Sequence, residues 1–181
     1  MKLYEEIKEV LFTKEQIAAK VKELGAQITA DYQGKELVLV CVLRGASVFF
    51  SDLIREIDVD FTIDFIATSS YGASTKTSGE VKLTKDLTSP IAGKHVIIVE
   101  DIVDSGLTLK YVKRLLEARN PESVKICSIL DKPEGRKTDL VPDYYGFTVP
   151  DVFIIGYGLD YAERFRQIPE VCILDPKVYT K

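Results

Sequence analysis

Short, unbroken runs of apolar residues constrain the fold of this chain more than any other feature of its sequence. Two such runs are residues 37–42 and 96–99. Each run is too short for a buried helix, and neither shows the alternation of apolar and polar residues that a half-exposed strand has. An unbroken apolar run of this length is typical of a strand in a parallel sheet that is covered on both faces. Further strands are predicted at residues 61–67, 124–130, 152–155 and 171–174.

Helices are predicted before and between these strands. Thr13 and Gln16 have the spacing of a capping box, and apolar residues then recur at helical intervals, so a helix is expected over residues 14–30. Crossover helices are expected over residues 48–57 and 107–118. Strands that alternate with helices predict an α/β fold with a mostly parallel central sheet flanked by helices.

Size and composition limit the number of domains and the kind of ligand. The chain has 181 residues, of which 46% are apolar, and this is enough for one domain with a good-sized core. Lysine and arginine number 24 against 28 acids, which leaves a net charge of -4. Because the excess of positive charge that neutralises phosphates is missing, we expect small ligands and no nucleic-acid partner.

The cysteines and the N-terminus indicate a cytoplasmic protein that does not enter a membrane. Cys41, Cys127 and Cys172 are odd in number, far apart and each inside an apolar run, which favours reduced, buried thiols. The first residues are acidic, and no stretch reaches the roughly 20 apolar residues of a membrane span.

A cluster of acidic and small residues follows the run at 96–99, at the end of a strand where open parallel sheets bind their ligands. Glu100 and Asp101 are adjacent, and their repulsion is costly unless a cation or hydroxyl donors are held between them. Residues 104–108 combine a small-residue turn, a glycine, two hydroxyls and the start of a helix, which suits a phosphate. Taken alone, such a turn is more often an ordinary strand-to-helix connection with an N-capping Asp or Ser and solvated acids.

The whole segment 96–108 favours a phosphate site over an ordinary connection, because it resembles the phosphoribosyl pyrophosphate signature of type I phosphoribosyltransferases at every position. The resemblance implies that Glu100 and Asp101 hold the ribose hydroxyls and an associated Mg²⁺. It also implies that the ribose phosphate is bound by Asp104, Ser105, Gly106, Leu107 and Thr108. Asp104 is then placed to be the catalytic base that accepts the proton lost by the purine.

A second motif, Leu43-Arg44-Gly45-Ala46, is similar to the pyrophosphate loop of hypoxanthine-guanine phosphoribosyltransferases. Arg44 stands where a lysine is usual in that family, which keeps the charge and adds a planar fork. By this resemblance Arg44, Gly45 and Arg166 bind pyrophosphate. The family's loop can carry a non-proline cis peptide, here at Leu43–Arg44. Without the other motifs, Arg44 and Gly45 would be an ordinary strand-end turn.

The resemblance also supplies a base site, although its residues have ordinary alternatives on their own. It assigns this site to Lys132, Val152, Phe153, Ile154, Leu159 and Asp160, with Asp160 as a further Mg²⁺ ligand. Lys132 would donate to the exocyclic oxygen of a six-oxopurine, and Phe153 would stack on its ring. Alone, Lys132 would be a solvated surface residue and Phe153 a core residue.

Residues 69–79 differ from the rest of the chain. Ser, Thr, Gly and Ala predominate there without an apolar period, which predicts a long mobile loop. Ser70 and Tyr71 match the family's lid dipeptide, which is expected to close over the reaction and exclude water. The alternative is a disordered surface loop with one incidental tyrosine.

The resemblance covers most of the chain, from about residue 37 to about residue 174, and implies a type I phosphoribosyltransferase fold in a single domain. A core over roughly residues 36–150 would carry a small hood built from roughly 1–12 and 151–181. The implied substrates are phosphoribosyl pyrophosphate and hypoxanthine or guanine. Kinship alone leads us to expect a homodimer or homotetramer.

Three other functions remain open at this point. A transferase for xanthine, adenine or a pyrimidine would share the phosphate loop. A regulator could keep the fold to sense phosphoribosyl pyrophosphate and bind nucleic acid, although the acidic balance, Asp104 and Lys132 count against it. A Rossmann-like nucleotide binder is disfavoured, because no G-x-G-x-x-G follows the first predicted strand. His95 is the only histidine, matches no motif and is expected to be structural.

Overall fold

A computed structural model of the chain describes residues 2–70 and 81–180. Its strands are β1 (Ile7–Phe12), β2 (Leu37–Leu43), β3 (Phe61–Ser70), β4 (Val81–Lys85), β5 (His95–Val103), β6 (Ser123–Asp131), β7 (Tyr144–Thr148), β8 (Ile154–Ile155) and β9 (Val171–Leu174). Its α-helices are α1 (Lys14–Asp31), α2 (Ser47–Leu53) and α3 (Leu107–Glu117).

Six strands form the main sheet, in the order β4-β3-β2-β5-β6-β7. All neighbours pair in parallel except β4, which runs antiparallel to β3. β3, the next strand along the chain, lies next to β2 on one side within the sheet, and β5 lies next to β2 on the other side. The carboxyl ends of β2 and β5 therefore flank a topological switch point, the place where α/β sheets of this kind bind ligands.

Alternate residues of β2 enter two hydrophobic clusters on opposite faces of this sheet. Leu39 and Cys41 pack with side chains of α1 and α2, including the fully buried Phe49. Val38 and Val40 pack with side chains of α3 on the other face. The prediction of a mostly parallel sheet covered by helices on both sides is confirmed.

Helix α1 begins at the predicted capping box. The Thr13 hydroxyl accepts the Gln16 backbone N–H at 3.3 Å, and the Gln16 side-chain oxygen accepts the Thr13 N–H at 2.9 Å. Both donors would otherwise lack a partner within the helix. The buried face of the helix carries Ile17, Val21, Leu24 and Ile28, at the helical spacing seen in the sequence.

Replacing Thr13 with alanine removes the side-chain acceptor of this box, and we expect the free energy of unfolding to fall by about 1 kcal/mol. Urea denaturation followed by circular dichroism measures the change. Thr13→Ser keeps the hydroxyl and is the matched control. An equal loss of stability in both variants would show that the methyl group, rather than the cap, is what matters.

A second, three-stranded sheet joins the two ends of the chain in the order β1-β9-β8, with antiparallel pairing throughout. Two contacts fix its flank to the main sheet. The Tyr157 hydroxyl donates to Asp52 of α2 at 2.8 Å. At Gly158, with φ +100°, an added Cβ would lie 2.1 Å from the Gly45 carbonyl oxygen, so the two backbones meet directly. The hood strands therefore sit beside the switch point.

The structure corrects the predictions at several element ends. β8 begins at Ile154 rather than at residue 152, and α2 ends at Leu53 rather than at residue 57. β5 continues to Val103, because residues 100–103 keep pairing with β6 beyond the apolar run. Ser69 and Ser70, predicted to begin a mobile loop, lie in β3, because the backbone there pairs with β4. Tyr71 and the rest of the predicted lid fall outside the described residues. Within the described ranges no helix is long and apolar enough to cross a membrane.

Candidate active site

A cavity of about 510 Å³ opens at the switch point, beside the carboxyl ends of β2 and β5. Predicted site residues that line it are Arg44, Gly45, Glu100, Asp101, Asp104, Ser105, Gly106, Thr108, Asp160 and Arg166. They come from three separate parts of the chain, and the fold brings them to one cavity. Predicted site residues outside this lining are Leu107, Lys132, Val152, Phe153, Ile154 and Leu159.

Glu100 and Asp101 form the floor of the cavity at the end of β5. Removal from bulk water raises the pKa of Glu100 well above its ordinary value, and repulsion from Asp101 raises it further. Burial also raises the pKa of Asp101, opposed by its contact with the Glu100 side chain, by a hydrogen bond from the Ile102 N–H and by the charge of Arg166. Two such carboxylates are stabilised by a cation or by hydroxyl donors brought by a ligand.

The acids of the cavity fit a metal that takes few protein ligands. In the described part of the chain no group of three or more acidic, histidine or cysteine side chains is arranged to hold an ion by itself. Mg²⁺ binds through one or two carboxylates and otherwise keeps waters and substrate oxygens. Glu100 and Asp101 offer two adjacent carboxylates, which suits a hydrated Mg²⁺ arriving with a phosphorylated substrate.

The turn between β5 and α3 has the features of an anion-binding turn. Gly106 is the N-cap of α3 with φ 76°, a left-handed conformation that glycine adopts without strain, and it has no capping side chain. Ser105, one residue before the N-cap, accepts the Leu107 N–H on its hydroxyl at 3.4 Å, so the alternative of a serine near the helix start survives in part. Ser105 and Thr108 place hydroxyls along the cavity at the positive end of the helix. The Leu107 side chain is exposed and lies outside the lining.

Lys132 lies behind this turn and contacts two carboxylates. Its ammonium group is 2.8 Å from Asp104 Oδ2 and 3.2 Å from Asp151 Oδ1. Burial alone would lower the pKa of Lys132, but the hydrogen bonds to Asp104 and Asp151 outweigh it and raise the pKa. Asp104 thus has the cavity on one side and a charged donor on the other. No pattern around Asp151 in the sequence pointed to this contact.

A half-buried arginine, which the sequence did not predict, holds the same turn from behind. Arg136 donates from Nε to the Asp104 carbonyl at 2.9 Å and from Nη2 to the Val103 carbonyl at 3.1 Å. It also pairs with the Asp131 carboxylate and bonds the Leu140 carbonyl. The backbone that presents Asp104 is therefore fixed by a guanidinium group that makes four hydrogen bonds.

The predicted pyrophosphate residues meet on the opposite side of the cavity. The Leu43–Arg44 peptide bond is cis. An added Cβ at Gly45 would lie 1.7 Å from Asp101 Oδ2, so only glycine fits against that carboxylate. Arg166 contacts Asp160 at 2.9 Å and Glu163 at 3.3 Å through Nη2.

The predicted base-binding residues other than Lys132 belong to the hood, and of these only Asp160 lines the cavity. Phe153 is 37% exposed rather than part of the core, and its ring contacts Tyr161 and Tyr179 at centroid distances of 5.5 and 5.1 Å. Ile154 and Leu159 are buried, and Val152 is half-buried. Phe153 thus keeps accessible aromatic surface, although it stands outside the lining of the cavity.

Known proteins match the chain over nearly all of its length. Residues 9–162 match the family model described as a phosphoribosyl transferase domain. The hypoxanthine-guanine phosphoribosyltransferase of Bacillus subtilis is 51% identical over 174 residues, which cover 96% of this chain and 97% of that protein. The protein of the same name from Streptococcus thermophilus is 48% identical over 179 residues, 99% of each chain.

Solved structures give the same picture at the level of the fold. A crystal structure of a hypoxanthine phosphoribosyltransferase from Staphylococcus aureus superimposes with a TM-score of 0.96 at 48% identity, covering 100% of this chain and 98% of that one. A hypoxanthine-guanine phosphoribosyltransferase from Bacillus anthracis, with a HEPES molecule in its active site, gives a TM-score of 0.89 at 52% identity over 93% and 99% of the two chains.

Proposed function

The chain belongs to the phosphoribosyl transferase family and, within it, to the hypoxanthine-guanine phosphoribosyltransferases, and from this premise we propose the reaction of its cavity. Hypoxanthine or guanine attacks the anomeric carbon of phosphoribosyl pyrophosphate, and pyrophosphate leaves, which gives IMP or GMP. The observation that carries the proposal is the contact between Asp104 and Lys132, directly beside a turn suited to a ribose phosphate.

Asp104 and Lys132 are proposed to act on the purine as a pair. Lys132 donates to the exocyclic oxygen, which draws electron density away from the ring and makes a ring N–H more acidic. Asp104 accepts that proton while the ring nitrogen forms its bond to the anomeric carbon. The two groups contact each other in the structure, so the arriving base replaces their mutual contact, and Asp151 keeps Lys132 charged.

The leaving group is proposed to be stabilised on the other side of the cavity. The bond between the anomeric carbon and the pyrophosphate oxygen breaks, and negative charge grows on pyrophosphate. Arg44 and Arg166 lie where they can offset that charge, and Glu100 and Asp101 can orient the ribose hydroxyls. Mg²⁺ would be held by the carboxylates of Glu100 and Asp101 together with waters and substrate oxygens, with Asp160 as a further ligand through water, and would supply further charge neutralisation.

Replacing Gly45 with alanine tests the ribose and pyrophosphate side. The new Cβ would start 1.7 Å from Asp101 Oδ2 and must displace that carboxylate or the loop. We expect kcat/KM for phosphoribosyl pyrophosphate to fall on the order of 100-fold, the size of effect that an ångström of misplacement produces. Steady-state kinetics with phosphoribosyl pyrophosphate as the varied substrate give this value.

Gly135→Ala is the matched comparison for that variant. Its Cβ would lie 2.1 Å from Asp104 Oδ1, so it disturbs the proposed base instead of the ribose carboxylates. We expect Gly135→Ala to lower mainly kcat. Equal kinetic profiles for the two variants would mean that the two sides of the cavity do not have separate tasks.

The acceptor is proposed to be a six-oxopurine because Lys132 presents a donor. An adenine amino group would face that ammonium group donor to donor, whereas hypoxanthine and guanine offer an acceptor. Competition among hypoxanthine, guanine, xanthine and adenine for phosphoribosyl pyrophosphate tests this preference for six-oxopurines over adenine. Preference for adenine or for a pyrimidine would overturn the assignment of the acceptor.

Three further features remain part of the proposal. Ser70 and Tyr71 are proposed as the lid, and self-association as a homodimer or homotetramer follows from kinship. A cytoplasmic location agrees with Cys41, Cys127 and Cys172, which are all free and buried. Limited proteolysis with and without substrates tests the lid, and sedimentation velocity tests the oligomeric state.

A further inference from the structure

Glu163 occupies the two arginines that are proposed to bind pyrophosphate. Its Oε2 atom lies 3.2 Å from Arg44 Nη1 and 3.3 Å from Arg166 Nη2. Arg44 directly follows β2 of the main sheet, whereas Glu163 and Arg166 lie between β8 and β9 of the hood, so one carboxylate oxygen links both sides of the cavity. A single anionic oxygen between two guanidinium groups has the chemistry of a phosphate oxygen in the same place.

The backbone that presents Glu163 is strained. Tyr161 and Arg164 exchange hydrogen bonds of 3.1 and 3.0 Å around a two-residue turn, in which Ala162 and Glu163 have φ values of 51° and 63°. Such turns favour Asn and Gly, because other side chains crowd the backbone in this conformation. The strain is maintained next to the cavity, where unfavourable backbone geometry is commonly linked to function.

Asp160 holds this turn in place. Its Oδ2 atom accepts the Glu163 backbone N–H at 2.9 Å, and its Oδ1 atom pairs with Arg166 at 2.9 Å. The Glu163 carboxylate is therefore aimed at the arginines by its own backbone. The Glu163 side chain is 61% exposed and that of Arg44 74%, so an arriving anion can displace the contact without unfolding the turn.

We infer that Glu163 competes with pyrophosphate for Arg44 and Arg166, and that it thereby weakens pyrophosphate binding and speeds pyrophosphate release. This inference rests on the proposed function, which assigns the two arginines to pyrophosphate. Glu163 is a positioning residue in this scheme, because it acts through the arginines and forms no bond to the reacting atoms. Exposed ion pairs contribute little to stability, so the effect is on binding rather than on folding.

The test is Glu163→Gln, which keeps the shape of the side chain and removes its charge. Calorimetric titration with pyrophosphate in Mg²⁺ should show binding tighter by about threefold to tenfold, the range expected when two exposed ion pairs no longer compete. The dissociation rate of pyrophosphate should fall, and KM for phosphoribosyl pyrophosphate should fall while KM for hypoxanthine stays the same. Glu163→Asn is the second variant, because asparagine tolerates the left-handed conformation.

Two controls separate this pairing from a general change of charge. Glu117→Gln removes an acid that pairs with Lys113 on α3 and should leave pyrophosphate binding unchanged. In an Arg44→Gln background, Glu163→Gln should tighten pyrophosphate binding by less than it does in the wild-type chain. An equal effect in both backgrounds, or unchanged pyrophosphate binding in Glu163→Gln and Glu163→Asn, would overturn the inference.

The wild-type titration distinguishes failure of the inference from failure of the proposed function. If the wild-type chain binds pyrophosphate in Mg²⁺ and both Glu163 variants bind it equally well, the inference is wrong and the proposed function stands. If the wild-type chain binds no pyrophosphate, or if Arg166→Gln binds it as tightly as the wild-type chain, the assignment of the two arginines is itself wrong.

Discussion

Asp104→Asn should lower kcat by about 10²–10⁴-fold, the usual contribution of a positioned general base, and should leave KM for phosphoribosyl pyrophosphate close to the wild-type value. Asparagine keeps the size of the side chain but cannot accept the proton that the purine loses. The ribose phosphate would still meet Ser105, Gly106 and Thr108, because Arg136 fixes the backbone of the turn through the carbonyls of Val103 and Asp104.

The control for this variant is Asp139→Asn. Asp139 is an exposed acid that pairs with Lys110 outside the cavity, so its change should have no effect on kcat. An unchanged kcat in Asp104→Asn would remove Asp104 as the base. A loss that appears only in KM for phosphoribosyl pyrophosphate would instead limit Asp104 to binding the ribose phosphate.

Lys132→Met should reduce kcat/KM for hypoxanthine by about 100-fold or more, because a site built around a hydrogen bond to its substrate loses much of its discrimination when the donor is removed. Hypoxanthine should also lose its advantage over adenine. Methionine fills a similar volume, so the loss reports the missing donor and charge. Kinetics with hypoxanthine and with adenine as the varied base give both values.

Stability provides a second measurement on this variant. Lys132 is 11% exposed, but Asp104 and Asp151 are 48% and 58% exposed, so water can solvate the carboxylates when their partner is lost. We therefore expect the free energy of unfolding to change by only about 1 kcal/mol. Lys113→Met, on α3, is the matched control and should leave the preference between bases as it is. An unaltered preference in Lys132→Met would mean that backbone contacts alone select the base.

The sequence predicted the centre of the fold well and its margins less well. The runs at 37–42 and 96–99 lie in β2 and β5, which are flanked by strands on both sides and covered by helices on both faces. β1, β4 and β7 were not predicted, because short edge strands are defined by their partners, as β7 is by β6. β4 pairs with β3, and β1 pairs with β9, which lies at the far end of the chain from β1.

From the residues themselves, the candidate site could be predicted only where they form a local motif, whereas Lys132 and Arg166 were assigned through the family resemblance. The acids and the phosphate turn are contiguous between residues 100 and 108, so a pattern exists to be read. Arg136, Asp151 and Glu163 have no such pattern, since each is a single charged residue that belongs to no recognisable motif. Their roles come from contacts that join distant parts of the chain, such as the 119 residues between Arg44 and Glu163.

The most direct test of the proposed reaction is to mix the chain with Mg²⁺, phosphoribosyl pyrophosphate and hypoxanthine, and to measure IMP and pyrophosphate together. Asp104→Asn run beside the wild-type chain assigns any activity to this cavity. We expect IMP and pyrophosphate to form in equal amounts with the wild-type chain and at a rate about 10²–10⁴-fold lower with Asp104→Asn. Binding of phosphoribosyl pyrophosphate without formation of IMP by the wild-type chain would contradict a transferase and favour a sensor of that ligand.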